Sequence, residues 1–138
     1  MSDRATVIRV VEEYVGAQGP RYGGGVSAES VGSTGVWFGK VTIGPGGRTK
    51  AHLHEQHETA ILVLSGSCVV YSGADLSVKE PVGPGEYIYI PASVSHVAVN
   101  ASPTEPCVAV IARTDPNEQE SVVLTPELET IVDAFLNP

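Results

Sequence analysis

The sequence predicts an all-β fold, a sandwich or a barrel, and three observations lead to it. Short runs of β-branched and apolar residues recur along most of the chain. Glycine and proline punctuate these runs about every eight to twelve residues, a spacing typical of strands joined by turns. No internal repeat or low-complexity segment breaks the pattern, and 138 residues suit one domain with a substantial core. We therefore predict a single domain over residues 1–138.

The chain before residue 35 is predicted to contain a strand, a loop and a second, short strand. Residues 5–11 are rich in valine, isoleucine and threonine, which favour a strand. Residues 16–25 contain a Gly-Pro pair and three consecutive glycines. Glycine loses much conformational freedom when it is ordered, so a segment with this composition favours a loop. Residues 27–33 are interpreted as the short strand.

The middle of the chain is predicted as a succession of strands. A strand over residues 35–43 ends at the glycine-rich residues 44–47, and a strand over residues 48–54 follows. Residues 59–64 are nearly all apolar, as expected of a strand buried on both faces. Further strands are predicted at residues 67–71, 76–82, 87–90, 97–99 and 108–113. The last of these closes the predicted sheet.

The end of the chain, about residues 125–136, is predicted as an α-helix. Thr125 is a candidate N-cap, and Pro126 stands at the first helical position. Apolar residues then recur at the spacing of one helix face, at Leu128, Ile131, Val132, Phe135 and Leu136. This apolar stripe must be buried, either on its own barrel or on a neighbouring subunit.

The composition excludes several classes of function. The net charge is −8 with only eight basic residues, and an acidic surface repels the phosphates of nucleic acid. No stretch approaches the ~18 apolar residues of a membrane helix, and the first residues lead into no apolar signal region. Cys68 and Cys107 are isolated thiols without CxxC spacing, which favours buried apolar positions over a redox role. We expect a cytoplasmic protein that binds neither nucleic acid nor membranes.

Three of the four histidines lie within residues 52–58. Successive side chains of a strand point to opposite faces, so His52 and His54 project to the same side. Two imidazoles on one face of a strand can bind a single metal ion. His57 or Glu58, just beyond a predicted turn, could supply a further ligand, and His96 follows far downstream.

Two stretches of the chain together resemble the signature of the cupins. The residues that match the first cupin motif are Gly46, His52, His54, Glu58 and Gly66. The residues that match the second motif are Gly85, Pro91, His96 and Asn100, with Ser93 where a glycine is usual. The resemblance covers residues 36 to about 113. It is a specific signal for the fold and a much weaker one for the reaction.

The resemblance implies a double-stranded β-helix, the jelly-roll cupin barrel, over about residues 36–113, followed by the short C-terminal α-helix. It also implies one divalent transition metal, Mn, Fe, Ni or Zn, held by His52, His54, Glu58 and His96. The fourth ligand stays open. Counting back from Gly66 places Thr59, not Glu58, at the position of the glutamate in the first cupin motif. His57 could instead complete a four-histidine site. Small cupins are often dimers, so we expect a homodimer.

Three further residues are candidates for binding substrate. Arg48 and Lys50 share the strand parity of His52 and His54. If that parity holds, one of them reaches into the barrel and pairs with a substrate carboxylate or phosphate. The alternative is a solvated strand end. Tyr89 either packs in the core or places its hydroxyl near the metal.

The leading functional hypothesis is a metal-dependent enzyme that acts on a small organic acid, a diketone or a sugar. Its reaction would be that of a dioxygenase, a decarboxylase or an isomerase. One alternative is a non-catalytic cupin that binds a sugar or an acid. Another is a structural barrel with a vestigial site, which a threonine at the ligand position would favour.

Overall fold

The structure is a computed structural model, and it describes residues 3–136. The predicted domain also includes Met1, Ser2, Asn137 and Pro138, which lie outside the described residues. The strands, in chain order, are β1 (Glu13–Val15), β2 (Arg21–Val26), β3 (Trp37–Ile43), β4 (His52–Leu53), β5 (Thr59–Ser65), β6 (Cys68–Ser72), β7 (Val78–Val82), β8 (Tyr87–Ile90), β9 (His96–Val99), β10 (Cys107–Arg113) and β11 (Val123–Leu124). The helices are α1 (Ala28–Val31) and α2 (Glu129–Leu136), the latter preceded by a 3₁₀ turn over Pro126–Leu128.

The strands form two antiparallel sheets. One has the order β1-β2-β3-β10-β5-β8 and the other the order β11-β4-β9-β6-β7. The chain passes back and forth between the sheets from β4 to β10, which is the course of a double-stranded β-helix. The predicted all-β fold with a short C-terminal helix is therefore confirmed. Apolar side chains from both sheets, including Trp37, Val63, Val70 and Ile111, are buried between them.

The predictions for the N-terminal part need three corrections. Residues 5–12 form no regular strand, and β1 begins only at Glu13. The predicted loop at residues 16–25 contains most of β2. Its glycines fit a strand here because they allow the Trp37 side chain to pack close to the backbone. A Cβ atom at Gly24 would lie 2.7 Å from Nε1 of Trp37. The predicted strand at residues 27–33 is instead the helix α1, which Ser27 begins with a capping box.

Replacing Gly39 with alanine is expected to lower the free energy of unfolding by about 1–3 kcal/mol, the usual cost of overpacking. An added Cβ would meet the carbonyl oxygen of Gly23 and lie 2.8 Å from a ring carbon of Trp37. Nothing lies within 4 Å of the corresponding position at Gly35, so Gly35→Ala is the matched control. Urea unfolding compares the two variants. Equal stability of both would contradict the close packing of β2 on β3.

The predicted strand at residues 48–54 is mostly irregular. Only His52 and Leu53 are in β4, Arg48 makes a single bridge to Val99, and the chain bends at Ala51. β4 pairs with β9 so that His52 lies directly opposite His96. On its other side β4 pairs with β11, a strand that the sequence analysis did not predict.

Part of the C-terminal stripe packs on its own barrel, whereas Phe135 and Leu136 stay 38% and 40% exposed. Val132 is 1% exposed and lies in an apolar cluster with Leu76, Val97 and Val99, on the outer side of the five-stranded sheet. The ring of Phe135 stacks on Tyr71 at 4.7 Å. Thr125 precedes the 3₁₀ turn, but its side chain makes no capping hydrogen bond. The expected homodimer stays a prediction, as does the cytoplasmic location.

No helix within residues 3–136 has the length and apolar character needed to cross a membrane.

Candidate metal centre

Three histidines converge inside the barrel. His52, His54 and His96 are 2%, 3% and 5% exposed, and one ring nitrogen of each lies within 4.8 Å of the others. The pairing of β4 with β9 brings His52 and His96 together, with ring centroids 4.2 Å apart. His54 follows two residues after His52 and faces the same interior. The structure thus assembles all three histidines of the predicted ligand set.

The backbone orients each of these imidazoles. Nδ1 of His52 donates a hydrogen bond to the carbonyl of Lys50 at 2.6 Å, and Nδ1 of His96 donates to Val94 at 2.9 Å. Nδ1 of His54 donates to the carbonyl of Ser121 at 3.2 Å. Because a carbonyl can only accept, each Nδ1 carries the proton and each Nε2 keeps its lone pair. Buried imidazoles held in this way fit a divalent transition metal.

Burial also keeps these histidines neutral. It lowers the pKa of His52 to about 4 and that of His96 to about 3, although backbone hydrogen bonds partly oppose the shift. Burial likewise lowers the pKa of His54. At pH 7 all three imidazoles are therefore unprotonated, which is the state that binds a metal.

A carboxylate reaches the histidines from the segment between β10 and β11. Glu120 has a side chain only 4% exposed, and its Oε1 lies 3.9 Å from Nε2 of His54. Gln18 donates a hydrogen bond of 2.6 Å to the same oxygen. Nε2 of His57 donates to Oε2 at 3.2 Å, and the Arg113 guanidinium lies 3.0 Å from Oε2 as an ion pair without hydrogen-bond alignment.

The pKa of Glu120 reflects this enclosure. Burial alone would raise it, but the hydrogen bond from His57 and the charge of Arg113 outweigh burial and hold the pKa below its ordinary value. Glu120 is therefore an anion beside the histidines. It forms a second group of possible ligands with His54 and His57, whose ligand atoms also lie within 4.8 Å of one another.

The structure does not bring Glu58 to the histidines. Its side chain is exposed, and it accepts a hydrogen bond of 2.9 Å from the Tyr89 hydroxyl. His57, the alternative fourth ligand, is 5% exposed and lies beside His54, with ring centroids 4.5 Å apart. Thr59, the residue seven before Gly66, points into the cavity beside the histidines.

None of the three residues predicted to bind substrate lines the cavity beside the histidines, and of the three only Tyr89 borders the neighbouring cleft between β7 and β8. Arg48 makes an ion pair of 2.6 Å with Glu129 of α2, and Lys50 is exposed. Neither lines the cavity, because the bend at Ala51 breaks the strand parity that the prediction assumed. Tyr89 is 61% exposed and hydrogen bonded to Glu58 on the outer side of β8.

Glu120, Arg113 and Gln18 were not predicted from the sequence as site residues. Gln18 lies 102 residues before Glu120, so no local spacing connects these two. Glu120 also stands in a polar segment that resembles any solvated loop. Arg113 ends an apolar strand, where its guanidinium stacks 4.0 Å above the ring of Trp37. An arginine at the end of a buried strand is the one signal that could have indicated a buried anion.

The histidines border a small cavity of about 60 Å³ inside the barrel. Its walls are mainly apolar, with Ile61, Ile90 and Ile111 among them. A larger cleft of about 360 Å³ lies between β7 and β8. Four residues border both the cavity and the cleft: Val70, Ile88, Ile90 and His96.

The family model described as a cupin domain matches residues 39–112 of this chain. The polyketide cyclase RemF from Streptomyces resistomycificus has a similar structure, with a TM-score of 0.68 and 25% sequence identity. That alignment covers 96% of this chain and 94% of RemF. No curated protein matched the sequence.

Two other solved structures show the shared fold alone. A sugar phosphate isomerase from Silicibacter pomeroyi has a TM-score of 0.57 at 19% identity, over 77% of this chain and 69% of that one. A predicted oxalate decarboxylase from Thermotoga maritima has a TM-score of 0.64 at 17% identity, over 79% of this chain and 98% of that one.

Proposed function

The chain belongs to the cupin domain family, and we propose that it is a metal-dependent enzyme that acts on a small, oxygen-containing substrate. The observation that carries this proposal is the convergence of three buried, neutral imidazoles with Nε2 turned toward one another. Neutral imidazoles can also lie together as ordinary core groups. Here, however, three imidazoles each donate an Nδ1 hydrogen bond to a backbone carbonyl and lie beside a buried carboxylate. This arrangement supports a metal-binding site.

In this proposal His52, His54 and His96 hold one divalent ion, Mn, Fe, Ni or Zn, and Glu120 is the carboxylate next to this set, on the side of His54 and His57. Glu120 replaces Glu58 in that role because it is buried and 3.9 Å from His54, whereas Glu58 is exposed. His57 and Gln18 orient the carboxylate through their hydrogen bonds. An ion bound there would act as a Lewis acid toward a substrate oxygen.

Among the organic acids, diketones and sugars considered, the diketone branch has the best support. The similarity to a polyketide cyclase extends over 96% of this chain. The cavity walls are largely apolar, which limits the access of water to a reactive carbonyl compound. Arg48 and Lys50, the cations expected to pair with an acidic substrate, lie outside the cavity.

Metal content measured on untagged protein tests the site. The native chain is expected to hold close to one equivalent of a divalent transition metal, and His52→Ala/His54→Ala to hold none. Glu120→Gln is expected to weaken metal affinity by about 10- to 100-fold, the usual effect of losing a supporting carboxylate. Glu58→Gln is the matched control, with unchanged affinity, because its side chain lies away from the histidines.

Turnover of 1,3-diketones by the metal-loaded protein then separates the enzyme from a binding module. Conversion that disappears in His96→Ala, with the fold intact by circular dichroism, supports the enzyme. Binding without conversion would favour the non-catalytic cupin. Failure to bind any metal after reconstitution would rule out the metal-dependent enzyme and leave the non-catalytic cupin or the structural barrel.

A further inference from the structure

The cavity beside the histidines is too small to contain an organic substrate by itself. Its volume is about 60 Å³, whereas pockets that enclose a drug-sized ligand have about 300–1,000 Å³. Any molecule larger than a few atoms must therefore extend out of the cavity. The cleft between β7 and β8 offers the necessary room, with a volume of about 360 Å³.

The cleft and the cavity adjoin at His96. Val70, Ile88 and Ile90 surround this histidine at the junction and line both spaces. β7 and β8 are edge strands of different sheets, so no backbone ladder closes the gap between them. A substrate in the cleft can thus bring one end to His96 while its remainder lies against the apolar side chains of β6 and β8.

A hydroxyl at the inner end of this path has no partner. Thr59 is 3% exposed and lines the cavity, and its Oγ1 has no hydrogen-bond partner among the described residues. A buried hydroxyl without a hydrogen-bond partner is energetically costly, which makes a ligand oxygen a natural partner. The unpaired hydroxyl of Thr59 therefore favours a ligand that has a hydrogen-bonding oxygen next to the histidines.

The charges along the path disfavour anions. Within residues 3–136, the carboxylates among the lining residues are Glu80 and Glu86 in the cleft and Glu120 in the cavity, and no lysine or arginine lines either space. Arg113, the nearby buried cation, is paired with Glu120. A phosphate or dicarboxylate that enters the cleft would therefore approach Glu80 and Glu86 without meeting an unpaired side-chain cation.

We propose that the cleft between β7 and β8 is the substrate-binding site and selects an uncharged molecule with an apolar body and a carbonyl or hydroxyl end. The carbonyl or hydroxyl oxygen lies at Thr59 and the histidines, and the apolar body fills the cleft. Glu80 and Glu86 at the cleft repel phosphorylated and acidic compounds. This inference rests on the proposed function, since it concerns the substrate class of the same site.

Isothermal titration calorimetry on the metal-loaded full chain tests the proposal, with benzoylacetone as the uncharged probe and oxalate as the anion. Benzoylacetone is expected to bind about tenfold more tightly than oxalate. Ser72→Trp places a large ring in the cleft and should weaken benzoylacetone binding by about tenfold or more. Ser77→Trp, on the exposed turn outside the cleft, is the matched control and should change nothing.

Two further variants examine the polar groups. Thr59→Val should weaken benzoylacetone binding by about 5- to 10-fold, because one hydrogen bond to the ligand is lost. Glu80→Gln/Glu86→Gln should strengthen oxalate binding by about 2- to 5-fold and leave benzoylacetone binding unchanged, since exposed charges are partly screened.

The outcomes distinguish this inference from the proposed function. If the protein binds no metal, the proposed function itself fails. If it binds metal normally but Ser72→Trp binds benzoylacetone as the native protein does, the cleft is not the binding site. Oxalate binding that is tighter than benzoylacetone binding would overturn the assigned substrate class. Metal content is measured on every variant, so a lost site cannot be mistaken for a blocked cleft.

Discussion

Arg113→Met is expected to lower the free energy of unfolding by about 3–5 kcal/mol, the usual effect of leaving one charge of a buried pair without its partner. The Arg113 side chain is 1% exposed and that of Glu120 is 4% exposed, with 3.0 Å between Nε and Oε2. Arg113 also donates hydrogen bonds to the carbonyls of Asn117 and Glu118 at 2.6 and 2.9 Å. The substitution keeps most of the side-chain volume but leaves these acceptors and the carboxylate uncompensated.

A double-mutant cycle in urea isolates the charge from the packing. Glu120→Gln alone leaves a buried guanidinium, whereas Arg113→Met/Glu120→Gln removes both charges. The double variant should therefore be more stable than the sum of the single losses predicts, by about 1–3 kcal/mol. Strict additivity of the two substitutions would show that the ion pair does not hold the segment between β10 and β11. Metal-free protein is used throughout, so that changes in metal affinity do not contribute.

The metal-free protein should lose about 5 kcal/mol of stability between pH 6.5 and pH 4 through His52 and His96 together. Burial lowers the pKa of His52 to about 4 and that of His96 to about 3. Above about pH 7.5 both residues are neutral in the folded and unfolded chains, and they contribute almost no pH dependence. Below that pH the unfolded chain binds protons that the folded chain does not, so the equilibrium shifts toward unfolding.

Urea unfolding at half-unit pH intervals, with metal removed by a chelator, measures this slope. His52→Gln/His96→Gln is the matched variant, since glutamine does not titrate and the carboxylates remain in both proteins. The variant should show a much flatter dependence between pH 6.5 and pH 4. An unchanged slope would mean that the two imidazoles are accessible to protons in the folded state.

The sequence predicted most of the barrel because its strands carry local signals. Apolar and β-branched runs between glycine turns indicated β5, β6, β8 and β10 within a few residues of their observed bounds. The prediction of a loop at β2 was wrong. Three consecutive glycines favour a loop, except where a neighbouring side chain packs into the space that their own side chains would fill. That side chain belongs to Trp37, 13 positions beyond Gly24, and no local sequence pattern indicates this contact.

The sequence by itself determined that His52 and His54 share one face and that His96 belongs with them. Both conclusions follow from short-range spacing, namely strand alternation and the two cupin motifs. Only the tertiary structure decided which carboxylate accompanies the histidines. Glu58 is nearer in the chain but points outward to Tyr89, whereas Glu120 is carried inward by the segment after β10. The path of that segment depends on the ion pair with Arg113, seven residues before Glu120, and on hydrogen bonds from Gln18 and His57, which are 102 and 63 residues away in the chain and leave no periodic signal.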